Sequence, residues 1–277
     1  MNYIQLHDIH VPRLGFGTWQ LKGDDCTNAV ETALATGYRH IDTAQAYGNE
    51  EYVGEGIRQS SVARDDIFLT TKIFRDQFET TSTATKSIDE SLRKLQTDQV
   101  DLLLVHWPFK EYSIEHMLAP LLKAQDDGKT RLIGVSNFTI AQMEEADKIS
   151  GGRVCLNQVE YHPMLNQQPL IDWTASHGWG ITAYSPLGRG EAMNNDTIRN
   201  IAKSHGKSPS QIILRWMMQH NNVLAIPKSS SEDHIKSNFD IWDFELSEAE
   251  MQQIKVLRLA NDRHVDPDFA PQWDVAA

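Results

Sequence analysis

The stretch Val100-Asp101-Leu102-Leu103-Leu104-Val105-His106 decides the fold. It is apolar at nearly every position rather than at alternate ones, so both of its faces must be covered. It also ends in an imidazole. Further short runs, several as continuously apolar, lie at 14–17, 40–42, 67–72, 130–136, 154–160, 180–184 and 223–226. Between them lie helical patterns. Ala84, Ile88, Leu92 and Leu95 form one apolar stripe; Ile114, Met117, Leu118, Leu121 and Leu122 form another. Pro120 interrupts the second stripe and predicts a late start or a kink. Ser208-Pro209 reads as a helix start. Alternating units of this kind close into a barrel or open into a doubly wound sheet. The open form calls for GxGxxG at its first turn, and Gly15-Phe16-Gly17-Thr18-Trp19 lacks the third glycine. The reading is therefore a (β/α)8 TIM barrel, one domain over residues 1–277. Residues 3–14 alternate about Asp8 and predict a β-hairpin closing the barrel floor.

Composition narrows the function. The 277 residues carry a formal net charge of −12, which argues against nucleic acid or an anionic membrane as partner. An anionic ligand would need a local basic or amide-rich spot. Cys26 and Cys155 are isolated in sequence and predict buried thiols, with neither disulfide nor zinc site. The histidines show no HExxH spacing, so no metal is expected. The N-terminal residues show no secretory signal and no run is long enough to span a membrane, which points to the cytoplasm. No clear dimer surface is visible, and a monomer is expected.

Catalytic groups of a barrel sit where its strands end. The predicted strands end in Asp42, Lys72, His106, Ser136-Asn137 and Tyr184-Ser185; Gln158 lies within another, and Tyr47 follows Asp42 by five residues. An acid, a base, an imidazole and a phenol at one mouth suggest proton transfer. A phenol is a poor acid at neutral pH unless its anion is stabilised. An ammonium from Lys72 would lower its pKa, and Asp42 would balance the buried lysine.

These residues lie in segments that resemble the aldo-keto reductase family: 37–54 (GYRHIDTAQAYGNEEYVG), 70–74 (TTKIF), 104–108 (LVHWP), 134–138 (GVSNF), 157–163 (NQVEYHP), 183–188 (AYSPLG) and 226–229 (IPKS). The closing segment 261–274 most resembles the bacterial 2,5-diketo-D-gluconate and methylglyoxal reductase branch. The resemblance implies reduction of small aldehydes and ketones by hydride from nicotinamide C4, with Tyr47 as general acid, Lys72 and Asp42 tuning it, and His106 orienting the carbonyl. It assigns the carboxamide to Ser136, Asn137 and Gln158, ring stacking to Tyr184, and the pyrophosphate loop to Ser185, Leu187 and Gly188. It puts Trp19, Phe74, Trp107, Tyr161 and Trp273 around the substrate, with Phe74 where the family often has tryptophan. At the adenosine end it implies Lys228, Ser229, Ser230, His234 and Asn238. His234 stands where an arginine is usual, so NADP(H) is the expected cofactor with NAD(H) as a possible second donor. Two other readings compete. A hydrolase lacks its GxSxG elbow, since 134–138 has no second glycine. A non-catalytic nicotinamide-binding sensor or regulatory subunit on the same barrel would not need all four mouth groups.

Overall fold

A computed structural model describes residues 2–274. The chain opens with an antiparallel hairpin of β1 (Tyr3–Leu6) and β2 (Ile9–Pro12), turning at His7-Asp8. Eight parallel strands then follow in sequence order round one sheet. They are β3 (Phe16–Gly17), β4 (His40–Asp42), β5 (Phe68–Ile73), β6 (Val100–Val105), β7 (Thr130–Ser136), β8 (Val154–Glu160), β9 (Gly180–Tyr184) and β10 (Val223–Ala225). The ring closes where the first of these meets the last. Gly15 N–H donates to the Ala225 carbonyl at 2.8 Å, Ala225 N–H to that of Arg13 at 2.8 Å, and Gly17 N–H to that of Pro227 at 3.0 Å.

Side-chain parity explains why this sheet is buried on both faces. Residues such as Ile41, Leu69, Leu103, Ile133, Ile181 and Val223 point outward into the helical layer. Phe68, Leu102, Leu104, Leu132, Leu156 and Leu224 point inward and form a second core with Leu6, Ile9 and Val11 of the hairpin. The hairpin therefore plugs the N-terminal end, as the alternation about Asp8 predicts. Gly134 faces inward too. A Cβ there would lie 2.6 Å from the Leu104 side chain and 2.8 Å from the Leu156 carbonyl oxygen; the crowded interior admits only glycine.

The outer layer comprises α1 (Gly23–Thr36), α2 (Glu50–Gln59), α3 (Thr81–Leu95), α4 (Ile114–Asp126), α5 (Ile140–Ser150), α6 (Gln168–His177), α7 (Asp196–His205), α8 (Pro209–Met218), α9 (Glu232–Phe239) and α10 (Glu248–Val256). Ser208 starts α8 with a full capping box, Gln211 reaching back to it. Helix α4 does not start late at Pro120: Ser113 caps it at residue 113 and it runs through the buried proline. Both cysteines are buried and unpaired. No helix among the described residues is long and apolar enough to cross a membrane.

Candidate active site

The inward parity that fills the floor with leucine delivers polar groups to the other end. Asp42, Lys72, Ser136, Gln158 and Tyr184 all occupy inward positions at or near the C-terminal ends of their strands, and His106 directly follows β6. Lys72 Nζ donates to Asp42 Oδ1 at 2.6 Å, to the Thr43 carbonyl at 2.8 Å and to the Tyr47 hydroxyl at 3.3 Å. Gln158 Nε2 donates to the second Asp42 oxygen at 2.7 Å. The His106 ring stands edge-on to Tyr47, their centroids 5.7 Å apart. The four groups thus converge.

Burial governs their protonation. It pushes the Tyr47 phenol well above its ordinary range, and the Asp42 charge adds to the effect. It pushes the Lys72 ammonium down, with Asp42 opposing. The His106 imidazole is held well below its usual value by burial and then by Lys72. The expected depression of the Tyr47 pKa is therefore corrected. The ammonium is committed to a carboxylate and a carbonyl at shorter range than the phenol, and its hydrogen bond to Tyr47 does not offset burial and the Asp42 charge.

A cavity of about 780 Å³ opens above this floor, towards the upper end of the range for small-molecule sites. Tyr47, Asp42 and His106 line it together with Ser136, Asn137, Gln158, Tyr184, Ser185 and Leu187. Asn137 (φ 65°) and Ser185 (φ 47°) both hold left-handed backbone at its rim, a strain that a side chain tolerates only when its surroundings enforce it. Asn137 shows the enforcement: its Nδ2 donates to the His106 carbonyl at 3.2 Å, and its Oδ1 accepts from the Tyr184 hydroxyl at 2.8 Å. Lys228, Ser229, His234 and Asn238 line the same cavity. Glu232, in the first turn of α9, is turned to Lys236 at 2.6 Å, and neither it nor Asp233 lines the cavity. Gly188 and Ser230 lie in the adjoining loops without lining it.

The five predicted substrate residues divide. Trp19, Phe74 and Trp107 line the cavity. Tyr161 does not: it follows inward-facing Glu160, so alternation turns it out against Trp216 of α8, at 5.4 Å between centroids. Trp273 does not line it either. It packs edge-on against Trp107 at 6.2 Å, beneath the Arg263 guanidinium at 3.8 Å. Sequence reasoning missed Arg189 and Val265, which both do line the cavity. Arg189 sits between glycines, directly after the residues assigned to the pyrophosphate loop, and its guanidinium lies 5.6 Å from the Trp19 ring. Among the described residues the fixed charges lining the cavity are Arg189, Lys228 and Asp42, the last already balanced by Lys72. The cavity is thus the local cationic spot that a chain of net charge −12 needs to hold an anion.

Comparison with known proteins identifies the family. The model of the aldo/keto reductase family matches residues 13–258. The chain belongs to that family. It is accordingly an NAD(P)H-dependent oxidoreductase acting on carbonyl compounds. Among its relatives, a 9,11-endoperoxide prostaglandin H2 reductase of Trypanosoma cruzi is 42% identical, covering 99% of this chain and 98% of its own. A glyoxal reductase of Bacillus subtilis is also 42% identical, over 96% of this chain and 95% of its own. A methylglyoxal reductase DkgB of Escherichia coli O157:H7 is 40% identical, over 95% and 99%. Among solved structures, that of a putative 2,5-diketo-D-gluconic acid reductase B superposes with a TM-score of 0.96 at 40% identity, over 99% of this chain and 98% of that one. A mutant of Gox0644 in complex with NADPH superposes at 0.90 with 32% identity, over 98% of each.

Proposed function

We propose that the protein reduces small aldehydes and ketones of the methylglyoxal or 2,5-diketo-D-gluconate type, with NADPH as preferred donor and NADH as a weaker one. The observation that carries this reading is the Lys72 ammonium bridging Asp42 and Tyr47 on the floor of a cavity, with His106 facing the same phenol. A nicotinamide held in the cavity would supply a hydride to the carbonyl carbon. The protein supplies the proton and the geometry. Tyr47 keeps its proton because its pKa is raised, yet the alkoxide developing on the substrate is a stronger base than any phenolate. The proton passes to that oxygen, and Lys72 at 3.3 Å steadies the phenolate left behind. His106, neutral, offers a hydrogen bond to the same carbonyl oxygen. Its Nδ1 is buried without a partner, so the exposed remainder of the ring is the part free to meet a ligand.

The residues fit a dinucleotide. Ser136, Asn137 and Gln158 suit the carboxamide, Tyr184 the nicotinamide ring, and Ser185 and Leu187, with Gly188 in the adjoining loop, the pyrophosphate. Lys228, Ser229, His234 and Asn238 line the same cavity and suit an adenosine phosphate. One barrel acting as a monomer in the cytoplasm suffices for this chemistry. A sensor that binds the cofactor without turnover would show affinity but no reduction of any carbonyl. Oxidation of NADPH and of NADH, followed by absorbance with methylglyoxal and a panel of aldehydes, separates the two; no turnover on any member would overturn the proposal.

Tyr47 loses its proton only well above pH 10, and His106 gains one only well below pH 6.5. The kcat/KM for reduction is therefore expected to stay flat from about pH 6 to about pH 9. A titration centred inside that window would contradict a protonated phenol paired with a neutral imidazole. At the adenosine end, His234→Arg restores a permanently charged fork, and the NADPH-to-NADH ratio of kcat/KM is expected to rise roughly tenfold, as one charge-assisted hydrogen bond allows. An unchanged ratio would show that residue 234 does not face the phosphate.

A further inference from the structure

Glu160, His162 and His264 are wholly or largely buried beside the cavity, and the chemistry above uses none of them. Glu160 ends β8 two residues after Gln158, on the same inward face, and is fully buried. Its Oε1 accepts the backbone N–H of His264 at 2.9 Å, and its Oε2 accepts that of Val265 at 2.9 Å. The His162 ring nitrogen Nε2 lies 3.1 Å from Oε1. These three side chains are of metal-ligating type and gather around one point. However, both carboxylate oxygens are already engaged by the protein's own N–H groups, while His162 Nδ1 and His264 Nε2 are buried without a hydrogen-bond partner.

We infer that Glu160 is a positioning residue for substrate: its carboxylate staples the C-terminal segment across the barrel mouth and so sets the cavity wall at Val265. Farther along, the segment is held by Phe269, packed on Trp107 at 5.4 Å and Phe109 at 5.7 Å, but its other backbone hydrogen bonds to the barrel are few among the described residues. Asp262 N–H donates to the Met164 carbonyl at 2.9 Å, and Asp274 accepts from Ile140 N–H at 3.0 Å. Between those points the Glu160 carboxylate is the group that takes up consecutive backbone donors from the barrel side. Val265 lines the cavity, and Arg263 just before it covers Trp273, which in turn packs on the cavity residue Trp107. Displacing residues 263–265 therefore moves one wall of the cavity without touching Tyr47, Lys72 or the residues at the adenosine end. Burial alone would push the Glu160 carboxyl up, but His162 and the two backbone N–H groups outweigh it and hold the acid below its ordinary range. The staple is therefore charged at neutral pH, where it accepts both donors most strongly.

The inference rests on the carbonyl-reductase reading, and its test separates the two. In Glu160→Gln the amide can no longer accept at both ends, since one end becomes a donor. With NADPH, KM for methylglyoxal is expected to rise about fivefold or more while kcat and the NADPH Kd stay within about twofold, the split that loss of substrate positioning produces. Hydrogen exchange supplies a readout independent of activity and of the variant's folding. In the unmodified protein the amides of His264 and Val265 are expected to exchange at least about tenfold more slowly than those of Arg263 and Asp266. Val265→Ala, which keeps the staple but trims the wall, is expected to raise the same KM without speeding exchange at 264. Unprotected amides at 264 and 265, or an unchanged KM in a folded Glu160→Gln variant, overturns the staple. Absence of any reduction by the unmodified protein, with both amides protected, overturns the function instead.

Discussion

Replacing Tyr47 by phenylalanine is expected to lower kcat for carbonyl reduction by about 10²- to 10⁴-fold, the usual contribution of a positioned general acid. NADPH affinity should stay within about threefold, because uniform binding survives loss of a group that acts on the reacting oxygen. The variant removes one oxygen atom. The Tyr47 ring keeps its edge contact with His106 and its place 4.9 Å from the Lys72 ammonium. What disappears is the phenolic proton, which burial and the Asp42 charge keep on Tyr47, and the cavity offers few substitutes. Asp42 has both oxygens occupied by Lys72 and Gln158. His106 is neutral, so it can orient a carbonyl but is a weak proton source at pH 7. Steady-state turnover with methylglyoxal, beside NADPH binding measured by fluorescence quenching, decides the matter. Turnover within tenfold of the parent would remove Tyr47 from the role of acid.

Much of this arrangement is legible in sequence because a barrel has a simple rule of placement. A parallel strand covered on both faces is apolar throughout, so a charged residue closing it, such as Lys72 after residues 67–71, stands out. Period-two parity then sends Asp42, Lys72, Ser136, Gln158 and Tyr184 to one mouth without knowledge of any loop. Strand limits shift by a residue or two: β5 is Phe68–Ile73, and β3 contracts to Phe16–Gly17 because Leu14 and Gly15 serve to close the ring. The failures share a cause. Tyr161 sits in a family-like motif, but its parity is outward and its ring belongs to the helical layer. Trp273 lies on a segment whose path no local pattern dictates. The Glu160 staple joins residues 104 and 105 positions apart. The upward push on the Tyr47 phenol depends on how tightly its surroundings exclude water and on Lys72 spending its donors elsewhere. Chemical type can be read along a chain; desolvation is a property of the packed whole.

The other large effect concerns stability as much as rate. Lys72→Met is expected to destabilise the fold by about 3–5 kcal/mol, the cost of leaving one partner of a buried ion pair uncompensated. Lys72 and Asp42 are both almost wholly inaccessible to solvent, and their contact is 2.6 Å. With the ammonium gone, Asp42 retains Gln158 as its side-chain donor, and the Thr43 carbonyl loses its partner. Methionine matches the lysine stem in length, so the only void left is that of the ammonium itself. If charge is the cause, adding Asp42→Asn must repair most of the damage, because the neutral amide no longer needs a counter-ion while its oxygen still accepts from Gln158. Turnover should not recover in the double variant, since nothing then stabilises the phenolate that proton transfer leaves on Tyr47. Urea denaturation of the single and double variants, run beside steady-state reduction, keeps the two effects apart. A double variant as unstable as Lys72→Met would trace the loss to packing. One that recovered turnover along with stability would show that the ion pair holds the mouth of the barrel together and takes no part in moving the proton.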